Sequence, residues 1–167
     1  MTGATIRPVS VRVADLAAAS GSDVVLQTVG LGSCVAIALY DASTKVGGLA
    51  HILLPTLAQT RDRTTPGKVA ETAVPALVAA MRAEGAGDPR RFTARLIGGA
   101  SMFGSLLAGG GINIGERNVA ASREALDAAG IPVIGEDVGG DYGRSVYLHL
   151  EDGRILIRSL RAGDREL

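Results

Sequence analysis

Two apolar runs, "CVAIALYD" (34–41) and "VGGLAHILLP" (46–55), follow one another through the turn-forming "DASTK". A strand with one wet face alternates apolar and polar residues. These runs barely alternate, so the sheet they form must be covered on both faces. A doubly covered sheet needs a layer on each side, and a chain of 167 residues is long enough to supply them. A domain of that size buries roughly 70% of the surface its unfolded chain exposes. One domain over residues 1–167 is expected. With aromatics at 3% and no Trp, its core must be aliphatic.

The remaining elements follow from periodicity and punctuation. "TIRPVSVRVADL" alternates through Ile6, Val9, Val11 and Val13 as a half-buried strand, and "DVVLQTVG" reads as a second strand ended by Gly30. Beyond "RDRTTPGKV" the pattern turns helical, with Ala70, Val74, Leu77, Val78 and Met81 on one stripe. Thr65 suits its N-cap, Pro66 its first position and Gly85 the residue just past its end. Pro75 lies inside the stripe and should kink the helix or begin it anew. "RRFTARLIGG" is a strand running into a Gly98-Gly99 turn, and "NIGERNVAASREALDAAG" is a second helix stopped by Gly130. "IPVIGEDVGG", "RSVYLHL" and "RILIRSL" end the chain as strands, the last two joined through Asp152-Gly153. Strand–helix alternations are too few for a doubly wound parallel sheet. The fold class expected is α/β (α+β), with two main helices packed on a mostly antiparallel sheet.

Several function classes are disfavoured. Seventeen basic residues balance 17 acidic ones, which argues against nucleic acid or an anionic membrane as the main partner. No stretch approaches 18 continuous apolar residues, so no membrane insertion is expected. The N-terminal stretch lacks the basic and apolar regions of a secretory signal, so a cytoplasmic protein with a reduced thiol is expected. Cys34, His51 and His149 match no zinc spacing, and "GLGSCV" has Val35 where a dinucleotide fingerprint needs its last small residue. "GGGINIGERN" could offer backbone amides to an anion, but a glycine run alone is a weak signal. No metal or cofactor is expected.

Cys34, the only cysteine, opens the first apolar run, and His51 lies in the second. With 41–44 as the hairpin loop, Tyr40 pairs with Lys45. Counting inward from there sets Cys34 directly opposite His51, with Cβ atoms about 4.5–5.5 Å apart. That is close enough for a thiolate–imidazolium pair. Each residue also has a bland reading, as a small core hydrophobe and as a hydrogen-bonded core histidine. It is the pairing of two scarce residues that favours nucleophilic chemistry. Gly32 and Ser33 shape the turn before the thiol, and the amides of residues 32–34 are the nearest donors for an oxyanion. Thr28, six residues before Cys34, could orient the imidazole or contact the reacting group through its hydroxyl, but its context favours an ordinary β-branched strand residue. Glu136 and Asp137 could face the site or merely cap a loop, and His149 alternates with Tyr147 as a sheet-face residue.

The blocks "TVGLGSCVAIALYD", "KVGGLAHILLP", "GGASMF", "NIGERN" and "EDVGGDYGRSV", in this order over nearly the whole chain, resemble the CheD family of chemoreceptor glutamine deamidases. The resemblance implies hydrolysis of glutamine side-chain amides on methyl-accepting chemotaxis receptors. It implies a catalytic set falling here on Cys34, His51 and Thr28, which gives Thr28 a role its context did not favour. It also implies a layered α/β/β fold shared with glutamine-deamidating toxins, and a CheC-type phosphatase as a second partner. Gly98, Gly99, Ala100, Ser101 and Met102 are expected in a loop near the site, and Asn113, Gly115 and Asn118 in a structural block without a catalytic role. Pro75 and the glycine-rich "LLAGGGI" fit the family's pattern least well.

Three rival functions remain, one of them a phosphate or nucleotide binder through "GGGINIGERN" that ligand titration would expose. A receptor methylesterase or other cysteine amidase would use the same pair on another acyl group and release methanol or a different amine. A non-catalytic adaptor would bind receptor or CheC-type phosphatase as tightly without the thiol.

Overall fold

A computed structural model describes residues 5–101 and 113–167. Met102 and the glycine-rich stretch up to Ile112 lie outside the described residues.

The described residues form two five-stranded sheets and two α-helices. One sheet runs in the order β1 (Arg7–Ser10), β3 (Val24–Leu31), β8 (Arg144–His149), β9 (Ile155–Arg158), β10 (Arg165–Glu166). The other runs β2 (Leu16–Ser20), β5 (Val46–Ile52), β4 (Val35–Asp41), β6 (Thr93–Gly98), β7 (Val133–Val138). Only β1 with β3 and β6 with β7 pair in parallel; the other pairings are antiparallel.

Helices α1 (Ala70–Ala83) and α2 (Ile114–Ala128) pack on one face of the second sheet, and the first sheet covers its other face. The result is a layered α+β sandwich of helices, sheet and sheet. Every residue of β4 and β5 is buried, as two uninterrupted apolar runs require. Val35, Ile37 and Leu39 face Leu77, Met81 and Leu126 of the helices. Ala36, Ala38 and Tyr40 face Leu26, Val146 and Leu148 of the other sheet. Removing a side chain such as Leu77 costs about 2–5 kcal/mol in a core of this kind.

Four expectations need correction. The first concerns the β4–β5 register. Tyr40 pairs with Gly47 and Asp41 with Val46, so His51 stands opposite Ala36 and not opposite Cys34. Asp41 stays in the strand because its carboxylate accepts from Ser43 N, Ser43 Oγ and Thr44 Oγ1, which starts the loop one residue later. Lys45, at φ 56°, then closes it. Second, the first strand is shorter than its alternating pattern, and a strand not expected follows it in the other sheet. β1 ends at Ser10, Ala14 turns the chain at φ 64°, and "LAAAS" becomes β2. Alanine-rich β2 carries little strand propensity, and pairing with β5 along its whole length overrides that.

Third, α1 starts at Ala70 and not at Pro66. Thr65 and Pro66 begin a separate single 3-10 turn, Pro66–Lys68. Val69 between them is extended and bridges Leu54. Fourth, Pro75 does not begin the helix anew, since α1 runs through it from Ala70 to Ala83. It sits on the exposed side, where water can reach the Glu71 carbonyl that its missing N–H leaves free. Gly85 and Gly130 do lie just past the two helices in left-handed conformations, φ 102° and 70°.

Candidate active site

Thr28 sits on β3, where Val24 and Leu26 already face the core between the sheets, so its side chain points the same way. Beyond it the β3–β8 register breaks between Thr28 and Leu31. Gly30 takes φ 73° in that bulge, a conformation a β-branched residue would not hold. Val29 is turned outward and is 58% exposed, while Thr28 stays at 2%.

Thr28 Oγ1 reaches across the layers to His51 Nδ1 at 2.7 Å. It also lies 2.7 Å from the Val11 carbonyl, to which it donates. A hydroxyl has one proton. With that proton on Val11 O, Thr28 Oγ1 must accept from His51 Nδ1–H. This assigns the tautomer: the proton is on Nδ1, and Nε2 carries the lone pair. Nε2 is buried and has no hydrogen-bond partner among the described residues.

The backbone of His51 is held by the same β1–β2 connection. His51 N donates to Asp15 O at 3.0 Å, and Ala14 N donates to His51 O at 2.9 Å. Ala14 keeps its left-handed conformation, at a cost of about 1 kcal/mol, because these bonds need it. Nothing in the sequence around Val11 or Ala14 marks either as part of a site. Their contribution is through backbone groups, which every residue type carries.

Cys34 is half-buried, in the turn just before β4. It alternates with Ala36 and packs against the core between the sheets, so it lies on the same face as His51 but diagonal to it. Diagonal neighbours have Cβ atoms about 7–8 Å apart. Burial pushes the Cys34 thiol up and the His51 imidazole down. Both shifts favour the neutral forms of the two groups. Gly99 N donates to Cys34 O at 2.8 Å and Ala100 N to Gly32 O at 2.9 Å. The amides of Gly32, Ser33 and Cys34 donate to no backbone carbonyl among the described residues.

The acids lie elsewhere. Glu136 pairs with Arg123 on the surface. Asp137 is bound by Arg165 and Arg144; burial works to raise its pKa, but the two guanidinium groups outweigh it and hold the carboxyl below the usual range. His149 pairs with Val25 and faces outward, since Val146 and Leu148 face in. Among the described residues no three His, Cys, Asp or Glu side chains are grouped to hold a metal. No described helix is long and apolar enough to cross a membrane.

The family model described as CheD, chemotactic sensory transduction, matches residues 53–159. The chain belongs to the CheD family. The CheD match begins just past His51, but full-length relatives extend it over the site. A probable chemoreceptor glutamine deamidase CheD of Caldanaerobacter subterraneus subsp. tengcongensis is 46% identical over 139 residues, covering 83% of this chain and 85% of that protein. A second, CheD 2 of Geobacter metallireducens, is 46% identical over 145 residues, 86% and 89% of the two chains. That of Clostridium acetobutylicum is 38% identical over 162 residues, 97% of this chain and 96% of its own, a span that takes in residues 28–51.

Proposed function

We propose that this chain is a protein-glutamine glutaminase that converts glutamines of chemoreceptors to glutamate. Cys34 is the nucleophile, His51 the base and acid, and Thr28 the group that holds His51. The observation carrying this reading is the buried, unpartnered Nε2 of His51 on the same sheet face as the half-buried thiol, in a chain of the CheD family.

The chemistry balances with these groups alone. As Cys34 Sγ bonds to the carboxamide carbon, Nε2 takes the thiol proton, and the amides of Gly32, Ser33 and Cys34 receive the oxyanion. The rising positive charge on the imidazole is stabilised through Nδ1–H donating to Thr28 Oγ1. When the C–N bond breaks, Nε2 gives its proton to the departing nitrogen, leaving ammonia and a thioester. Water then attacks the thioester, giving a proton to Nε2; as the C–S bond breaks, Nε2 returns that proton to sulfur, releasing glutamate and restoring the thiol and the neutral imidazole. The wider spacing of the free pair is usual, since catalytic hydrogen bonds often tighten only when substrate is bound. A CheC-type phosphatase enters as a second partner on the family's account alone, and action on receptors places the work in the cytoplasm.

The test is mass spectrometry of a receptor cytoplasmic fragment incubated with the wild type and with Cys34→Ala. Site-specific conversion of glutamine to glutamate by the wild type only is expected, with the variant melting within a few degrees of it. Binding without conversion by the wild type would turn the reading to an adaptor.

A further inference from the structure

The sequence blocks "GGAS" (98–101) and "NIGERN" (113–118) have no part in the proposed chemistry, yet the structure presses them against the nucleophile's turn. Gly115, in the first turn of α2, abuts the carbonyls of Gly99 and Ala100 so closely that a Cβ would collide with them. This approach brings Asn118, three residues further along the same helix face, down to the end of the β4–β5 ladder. Asn118 is fully buried. Its Nδ2 donates to Ser33 O at 2.9 Å and to Leu53 O at 3.2 Å. Those carbonyls belong to the residue before Cys34 and to the second residue after His51. The last regular pair of the ladder is Val35 with Ile52, so the amide spans the strands just where their own pairing stops.

The two carbonyls fix which end of the amide is nitrogen, because an oxygen in that place would face two acceptors. The amide oxygen is then left buried with no partner among the described residues. A half-satisfied amide in a dry core is a standing cost that an apolar residue of the same size would avoid. Its contacts say what it does there.

We propose that Asn118 is a positioning residue: its side-chain amide clips the turn carrying Cys34 to the strand carrying His51 and sets the spacing of the pair. This rests on the assignment of Cys34 and His51 as a reacting pair. Without the clip, the turn can drift outward from the ladder's open end while the core behind it stays packed. A displacement of about 1 Å at the reacting atoms can lower turnover on the order of 10²-fold.

Asn118→Leu keeps the branched shape and heavy-atom count and removes the donor. It should lower kcat about 10- to 100-fold while KM stays within about twofold. The deciding measurement is a double-mutant cycle on the rate of Cys34 alkylation by iodoacetamide, with wild type, His51→Ala, Asn118→Leu and the double variant, each shown folded by circular dichroism. His51→Ala should slow alkylation in the wild type and have little further effect beside Asn118→Leu. Additive effects, or a lower Tm with unchanged kcat, would make Asn118 a packing residue and overturn the proposal. If His51→Ala leaves wild-type alkylation unchanged, the free enzyme holds no pair to position and the proposal is overturned, while the deamidase reading is judged separately by conversion of the receptor fragment. Should the leucine variant not fold, Asn118→Ala, smaller and likewise without a donor, carries the same cycle.

Discussion

The two ends of the β4–β5 hairpin are built from the same kind of buried polar group and treat it in opposite ways. At the closed end, Asp41 is fully buried and its carboxylate accepts from Ser43, Thr44 and the Gly87 amide. At the open end, His51 and Asn118 are as deeply buried, yet His51 Nε2 and Asn118 Oδ1 have no partner among the described residues. A satisfied buried group stabilises and does nothing else. An unsatisfied lone pair beside a thiol is chemically available, because no neighbour competes for the proton it will take. If the proposed function holds, the hairpin places its stability at one end and its reactivity at the other.

The largest effect should come from breaking the open end. Thr28→Val removes the acceptor for His51 Nδ1–H while keeping the shape. It should lower kcat/KM by a factor on the order of 10²–10³, with Thr28→Ser restoring most of it. Steady-state deamidation of a receptor fragment measures this, and a valine variant with near-normal turnover would remove Thr28 from the machinery.

Breaking the closed end should have the reverse signature. Asp41→Ala strands the donors that Asp41 satisfied and should cost about 2–3 kcal/mol of stability, with kcat unchanged below the melting transition. Burial works to raise the pKa of Asp41, but the hydrogen bonds from Gly87, Ser43 and Thr44 outweigh it and hold the carboxyl low. A carboxyl lowered by folding adds stability that is present above its unfolded pKa and is lost as pH falls through its folded one. Urea unfolding followed downward from neutral pH should therefore show a shallower acid loss in the alanine variant than in the wild type.

The smallest effect sharpens the open end without mutation. The proposed mechanism needs neutral His51, and burial lowers its pKa. The acid limb of kcat/KM should lie below the about 6.5 of an unperturbed imidazole. Burial raises the Cys34 thiol, so the alkaline limb should lie above that of a free cysteine. An acid limb above the ordinary imidazole value would indicate a preformed ion pair instead of two neutral groups.

Much of this could be read along the chain. The doubly apolar runs require a sheet covered on both faces, and their periodicity against that of the 70–81 stripe separates strand from helix. Glycines past the stripes mark the helix ends. Cys34 and His51 are on one hairpin and, after the register correction, still on one face. A two-residue shift in pairing preserves the pleat, whereas a shift of one would have reversed it. What the residues alone could not decide is how far apart the two lie. That depends on whether Asp41 belongs to the strand or to the loop, and its hydrogen bonds to Ser43 and Thr44 settle it.

The rest of the site exists only in three dimensions. Thr28 meets His51 because two sheets stack face to face, and Val11 and Ala14 act through backbone groups that no side chain announces. Asn118 reaches Ser33 across 85 residues of sequence. Periodicity reports which face of an element is buried, since burial is a property of one side chain and its solvent. Which buried groups meet is a property of how layers pack, and that is set by the shapes of whole elements rather than by spacing along the chain.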